Sequence, residues 1–282
     1  MLSVVLPASH GAQCTSHAYF PEHKVILCTV PKASSSSWRQ LGRRVHGIDN
    51  GNSSVGYWCG TQRDDFNGCL WDQKDAPPRV TSFEQLQDLV HNQGYTPAVF
   101  VRDPIERVLS MYTGTEHLYR QNHTMGVNPQ ETSFDEFVTQ LENHSYGGNQ
   151  HMAEQMKVCN FGRSMSGAGI PWKVGVSSPV SMSSPNETTS RAQRFVADLF
   201  GEQVLAKVMH GWMECKGFGF DEFFTFDSAA KREASLVPEG ELADRIRALF
   251  ADDVHAYEEA ELDYDGAVPA PGPDRALTPQ RQ

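Results

Sequence analysis

A lysine and a run of serines near the N-terminus predict an anion-binding turn. The residues concerned are Lys32, Ala33, Ser34, Ser35, Ser36, Ser37 and Trp38. The apolar run 24–30 precedes them and indicates a buried strand, while apolar residues at helical spacing within 38–46 indicate a helix. A helix N-terminus offers unpaired N–H groups and the positive end of its dipole to an anion. The serine hydroxyls add donors, and Lys32 adds a mobile positive charge.

This turn differs from the phosphate loop of nucleotide triphosphatases. That loop reads GxxxxGK[ST], with glycines before the lysine. Here Lys32 precedes the serines, and no glycine lies between residues 31 and 38. A serine-rich turn alone is also compatible with a polar linker, so a second motif is needed to decide.

A second motif places a cation and a hydroxyl where another phosphate could bind. Residues 98–101 are an apolar run that predicts a strand, and Arg102 follows it directly. Asp103 can cap the next helix, with Pro104 in its first position. Ser110 then falls two turns into this helix. Arg102 could grip a phosphate as a bidentate fork, although an ordinary salt bridge is the alternative.

Together the motifs resemble those of the PAPS-dependent sulfotransferases, specifically the Golgi carbohydrate sulfotransferases (chondroitin, dermatan and HNK-1 type), with the heparan 2-O-sulfotransferases as relatives. PAPS is 3′-phosphoadenosine-5′-phosphosulfate. The family's PK-x-x-x-[ST]-x-W is similar to residues 31–38, and every fixed position of its RDPxxRxxSxY is matched by residues 102–112. Residues 149–159 resemble a third stretch, which carries a histidine, a glutamine and Leu-Cys. Met152 replaces the tryptophan that commonly follows the histidine.

The resemblance implies a role for each matched residue. Lys32 would neutralise the leaving phosphate and, with Ala33 to Trp38, bind the 5′-phosphosulfate. Arg102 and Ser110 would bind the 3′-phosphate. Arg107 would hold these residues in place without contacting the phosphate itself. No metal is required. The general base is expected to be His151, and the remaining candidates are His46, His91, His117, His123, Glu106 and Glu154.

Two other functions remain open at this point. A non-catalytic relative that binds PAP, PAPS or a glycan would keep the fold and lose the base. A P-loop kinase is a further alternative, although the turn lacks the glycines it would need. The acceptor is expected to be a glycan or another small hydroxyl compound.

Strand-then-helix units predict an α/β fold, with a P-loop-like parallel sheet flanked by helices in one domain. The expected boundaries are an N-terminal segment at 1–20, the sulfotransferase domain at 21–265 and a disordered tail at 266–282. Residues 162–189 are rich in Gly, Ser and Pro and are expected to be a low-complexity surface insertion. One long helix is expected over 239–262.

The charge of the 282-residue chain is uneven. The net charge is −11, and residues 219–282 hold 15 of the 35 acids but only 6 of the 24 bases. Residues 1–218 are therefore close to neutral, which argues against nucleic-acid binding and favours a neutral or weakly charged acceptor. The densest basic group is Arg39, Arg43 and Arg44, expected to be solvated surface.

The compartment is predicted only conditionally. No apolar run is long enough to cross a membrane, and the first residues lack a basic signal region. The six cysteines and the four N-x-[ST] sequons, at Asn52, Asn122, Asn143 and Asn186, favour a Golgi or secretory lumen if an anchor precedes this sequence. Otherwise a cytosolic protein is expected. Within a lumen, Cys59 and Cys69 are the expected disulfide.

Overall fold

Four strands form one sheet at the centre of the computed structural model, which describes residues 17–46, 77–120, 131–143, 151–177, 185–210 and 237–265. The strands are β1 (His17–Phe20), β2 (Val25–Cys28), β3 (Thr96–Val101) and β4 (Lys173–Val176), in that spatial order. β1 is antiparallel to β2, whereas β2, β3 and β4 run parallel. The predicted α/β class is confirmed.

Helices lie around this sheet and follow the strands in the order that the sequence pattern indicates. They are α1 (Ser35–Val45), α2 (Phe83–Gln87, continued by a π-helical turn at Asp88–Asn92), α3 (Pro104–Arg120), α4 (Phe134–Glu142), α5 (Gln155–Cys159), α6 (Met165–Ala168), α7 (Pro185–Phe200), α8 (Glu202–His210), α9 (Glu241–Leu249) and α10 (Ala251–Asp265).

Alternate residues of the central strands bury opposite faces of the sheet, because side chains point to alternate sides of a strand. Leu27 and Phe100 pack on one face, with α1 and α7. Val99 and Val101 pack on the other, with α5 and α10. Both faces are thus covered, as expected for parallel strands such as β2 and β3, which are buried along almost their whole length.

The parallel register fixes the edge from which the candidate loops leave. Cys28 lies opposite Val99, and Val101 lies opposite Val176. The chain therefore leaves β2, β3 and β4 on the same side of the sheet. The Lys32 turn and Arg102 begin at this edge.

The prediction of a surface insertion at 162–189 is wrong, because these residues include α6 and β4, which is an outer strand of the described sheet. Their glycine content was misleading. A Cβ on Gly175 would lie 2.7 Å from the ring carbons of both Phe100 and Phe195. Glycine is needed there for close packing and does not mark a flexible loop.

Three further expectations differ from the structure or fall outside it. β1 begins at His17, so the sheet starts before the predicted domain boundary at residue 21. The helix predicted over 239–262 is two helices that meet at Phe250. Cys59, Cys69 and the predicted tail 266–282 lie outside the described residues.

Candidate functional site

The turn after β2 has an unusual backbone that opens the N-terminus of α1. Lys32 has φ 67° and Ser34 has φ 58°, so two non-glycine residues occupy the left-handed region. Ser34 is the N-cap of α1, but its side chain makes no capping hydrogen bond. The helix backbone begins its own hydrogen bonding at Trp38, whose N–H donates to the Ser34 carbonyl over 3.1 Å. The geometry of a helix leaves the preceding N–H groups, those of residues 35–37, without an intrahelical acceptor.

Two of the predicted ligand residues instead support this turn from within the core. The Trp38 ring is 1% exposed and packs against Phe100, with ring centroids 4.8 Å apart. Ala33 is buried as well, and its N–H donates to the Val30 carbonyl. Neither residue offers a side chain to a ligand, so both anchor the turn while Lys32 and the serines remain the candidates for anion contact.

Arg102 is held at the end of β3 by a buried glutamine. Its backbone N–H donates to Oε1 of Gln155 over 3.0 Å, and its carbonyl accepts from Nε2 of Gln155 over 2.8 Å. Gln155 is fully buried and pairs with this residue as a neighbouring strand would. The guanidinium is partly exposed, and its Nε donates to Oε2 of Glu106 over 3.3 Å.

The helix that carries Ser110 begins as predicted. Oδ1 of Asp103 accepts from the N–H groups of Ile105 at 2.9 Å and Glu106 at 3.0 Å, which caps α3. Ser110 lies half-buried six residues after Pro104, about 9 Å along the axis. Its proposed part in holding the 3′-phosphate stays a prediction.

Arg107 joins the separate parts of the site. Its side chain is 1% exposed, and Nε donates to the carbonyl of Pro31, next to Lys32, over 3.2 Å. Nη2 donates to the carbonyls of His151 at 3.3 Å and Ala153 at 2.7 Å. One guanidinium therefore fixes both the Lys32 turn and the segment that bears His151. Burial lowers the pKa of Arg107 to about 10, so the group stays cationic at neutral pH.

The same contacts distinguish among the histidines considered as general base. His151 is half-buried. Its backbone carbonyl and that of Pro31 accept from the same Arg107 guanidinium, which places the residue close to the Lys32 turn. His46 follows α1 at the end far from the turn, about 16 Å along the helix. His91 precedes β3 and so lies at the opposite edge of the sheet.

The other candidates differ in what the structure shows of them. The His117 side chain and all of His123 lie outside the described residues. Glu106 is buried and paired with Arg102, and Glu154 is paired with Lys157. Among the histidines whose side chains are described, His151 is the candidate placed beside the turn.

A carboxylate from the C-terminal part of the chain completes the buried network. Asp253, on α10, is 1% exposed. Oδ2 accepts from the Gln155 N–H over 2.8 Å, and Oδ1 accepts from the Met156 N–H over 3.0 Å. Oδ2 also lies 3.9 Å from Nη1 of Arg107. Burial raises the pKa of Asp253 to about 6, so the carboxylate is ionised at neutral pH beside the guanidinium.

A disulfide connects the strand before the turn to the helix after His151. Cys28 at the end of β2 is bonded to Cys159 in α5, with Cα atoms 5.7 Å apart. Beside it, the buried His17 imidazole hydrogen-bonds through Nε2 to the Cys159 carbonyl and stacks on Phe161 at 4.4 Å. Burial lowers the pKa of His17 to about 4.

The sequence interpretation missed Asp253, the pairing of Cys28 with Cys159 and the bond from Gln155 to Arg102. Asp253 carried one usable signal. It lies at helical spacing with Ile246, Phe250 and Tyr257, on the apolar side of an otherwise acidic segment. Arg44 was expected to be solvated surface, and that expectation is wrong. The side chain is buried, and its Nη1 donates to the Val208 carbonyl over 2.8 Å.

These features define a class of protein, and comparison with known families agrees. A model described as "Sulfotransferase family" matches residues 17–170, which is more than half of the chain. The chain belongs to this family.

One relative narrows the resemblance further. Human carbohydrate sulfotransferase 9 is 31% identical over 105 residues, which cover 37% of this chain and 21% of the relative. The predicted likeness to the carbohydrate sulfotransferases is thereby confirmed, although the match spans about a fifth of the relative's length. No solved structure matches the chain significantly. In the described part of the chain, no helix has both the length and the apolar character to cross a membrane.

Proposed function

We propose that this protein is a PAPS-dependent O-sulfotransferase that acts on a carbohydrate hydroxyl. The observation that carries the proposal is the pair of hydrogen bonds from Arg107 to Pro31 and His151. They hold the lysine turn and the histidine segment side by side at one edge of the sheet. Arg102 follows β3 at the same edge, which supports a shared site for the residues matched to the family motifs.

Each group has a chemical task in this proposal. The acceptor oxygen attacks sulfur while the bond from sulfur to the bridging 5′-phosphate oxygen breaks, and PAP leaves. His151 takes the acceptor proton, and Lys32 balances the negative charge that develops on the leaving oxygen. The open N-terminus of α1 suits the 5′-phosphate, and Arg102 with Ser110 takes the 3′-phosphate, which ATP lacks.

The acceptor and the compartment are further parts of the proposal. The name of the human relative favours a carbohydrate, and the near-neutral charge of residues 1–218 favours one without many sulfates. The buried Cys28–Cys159 disulfide favours maturation in an oxidising lumen such as the Golgi. Metal independence stays a prediction.

Two measurements test the activity. Thermal shift with PAP, PAPS and ATP should show stabilisation by PAP and PAPS, and little by ATP. Transfer from radiolabelled PAPS to a panel of neutral and sulfated glycans should then label a neutral acceptor. PAP binding without transfer to any acceptor would indicate the non-catalytic alternative, and stabilisation by ATP but not PAP would refute the cofactor assignment.

Variants assign the roles. Lys32→Ala should abolish turnover yet weaken PAP binding less than Arg102→Ala, because Lys32 acts mainly on charge that develops during transfer. Arg102→Ala and Ser110→Ala should raise the Michaelis constant for PAPS. His151→Ala should lower turnover with PAP affinity unchanged. Equal turnover in Lys32→Ala and wild type would contradict the mechanism.

A further inference from the structure

Asp253 lies outside the matched family region, yet it contacts two groups that shape the proposed site. Residues 17–170 match the family model, and α10 follows much later in the chain. The buried carboxylate accepts from the N–H groups of Gln155 and Met156 and faces Arg107. It uses both oxygens on backbone donors of the same helical turn.

One line of contacts leads from Asp253 to Arg102. The carboxylate fixes the backbone of Gln155, and the Gln155 side chain then pairs with both the N–H and the carbonyl of Arg102. A shift of the first turn of α5 would therefore move the backbone from which the Arg102 side chain extends.

A second line of contacts leads to the Lys32 turn and to His151. The Arg107 guanidinium lies 3.9 Å from Oδ2 of Asp253 and donates to the carbonyls of Pro31 and His151. A buried cation without a neighbouring anion is costly. Removing the charge of Asp253 would take away the anion that faces Arg107, so the guanidinium would be held less firmly against both carbonyls.

We propose that Asp253 is a positioning residue for sulfuryl transfer, acting through Gln155 on Arg102 and through Arg107 on the Lys32 turn and His151. The role rests on the proposed function for its chemistry, but not for its geometry. The Asp253 carboxylate is buried and contacts Gln155, Met156 and Arg107, so it acts through these residues. In-line transfer depends on the alignment of acceptor, sulfur and leaving oxygen, and a displacement of about 1 Å can reduce a rate by roughly 100-fold.

Asp253→Asn is the direct test, because it keeps the shape and removes the charge and one acceptor oxygen. Asp252→Asn is the matched control, since Asp252 lies in the same helical turn and is half-exposed. PAP-binding stoichiometry from calorimetry gives the folded fraction, to which turnover is normalised. We expect Asp253→Asn to lower turnover roughly 10- to 100-fold with the acceptor Michaelis constant little changed. Asp252→Asn should behave as wild type.

Hydrogen exchange supplies a readout that needs no activity. In Asp253→Asn, peptides covering residues 151–156 should exchange faster than in wild type and in Asp252→Asn. If Asp253→Asn does not fold, Asp253→Glu is measured against Asp252→Glu, because the extra methylene displaces the carboxylate from its two N–H donors while keeping its charge.

The outcomes separate the positioning role from the proposed function. Wild-type turnover or wild-type exchange at 151–156 in the Asp253 variant overturns the positioning role. If wild-type protein binds PAP but transfers no sulfuryl group, the proposed function fails. Hydrogen exchange at residues 151–156 and PAP affinity, each compared between wild type and Asp253→Asn, then decide whether Asp253 still holds the first turn of α5 and the Lys32 turn in place.

Discussion

Replacement of Arg107 by lysine should destabilise the protein strongly while leaving a positive charge beside Asp253. Arg107 donates to three carbonyls, those of Pro31, His151 and Ala153. A lysine ammonium is a single centre on a flexible stem and cannot span the acceptors of a planar guanidinium. If two of the three bonds are lost, at about 1.5 kcal/mol or more for each hydrogen bond to a charged group, the free energy of unfolding falls by about 3 kcal/mol or more.

Circular dichroism during heating measures this effect. For a chain of this length, about 3 kcal/mol lowers the unfolding midpoint by about 5 °C. Arg245→Lys is the matched control. Arg245 also has several acceptors (Asp135, Thr139 and Glu142), but it is partly exposed between α4 and α9. Because water competes with exposed ion pairs, its midpoint should change much less. Equal shifts in the two variants would refute the conclusion that Arg107 is a buried junction.

Three further substitutions test other features. Ser34→Gly should raise the free energy of unfolding by about 0.5–1 kcal/mol in urea titrations, because glycine adopts φ 58° without strain; any destabilisation would contradict the left-handed backbone. Gly175→Ala should cost about 1–3 kcal/mol by forcing apart Phe100 and Phe195, whereas Gly167→Ala, whose Cβ would lie 3.6 Å from its neighbour, should be tolerated. The pKa of His17 is lowered from 6.5 to about 4, so the folded protein binds this proton less well than the unfolded chain does. The contribution of the neutral imidazole to the free energy of unfolding is therefore lost as pH falls from 6.5 towards 4. Wild type should lose about 3 kcal/mol more than His17→Gln over that range in urea titrations at fixed pH, and parallel pH profiles would count against burial of the imidazole.

Local patterns in the sequence predicted the elements that carry the motifs. Asp103 caps α3 as predicted. Ser133 and Glu136 form a capping box at the start of α4, in which each side chain accepts the backbone N–H of the other residue. These features depend on neighbours within a few residues, so a linear pattern contains them. The motif residues Lys32 and Arg102 also proved to lie at one edge of the sheet, because parallel strands require it.

Long-range partners could not be predicted in this way. Asp253 reaches Gln155 across 98 positions, and Arg107 reaches Pro31 across 76. Each bond depends on how helices pack on the sheet, which residue spacing does not record. Trp38 shows the same limit. The motif predicted that Trp38 helps to bind the 5′-phosphosulfate, whereas its ring is buried in the core.

The Cys28–Cys159 bond turns residues 28–159 into a covalent ring that contains Lys32, Arg102, Ser110 and His151. Any single backbone cleavage between these cysteines leaves the two pieces joined, so a nicked protein should remain one species until a reductant is added. The ring can close only after residue 159 has been synthesised. During biosynthesis, the disulfide can therefore fix β2, the strand before the Lys32 turn, only after the segment that bears His151 has been made.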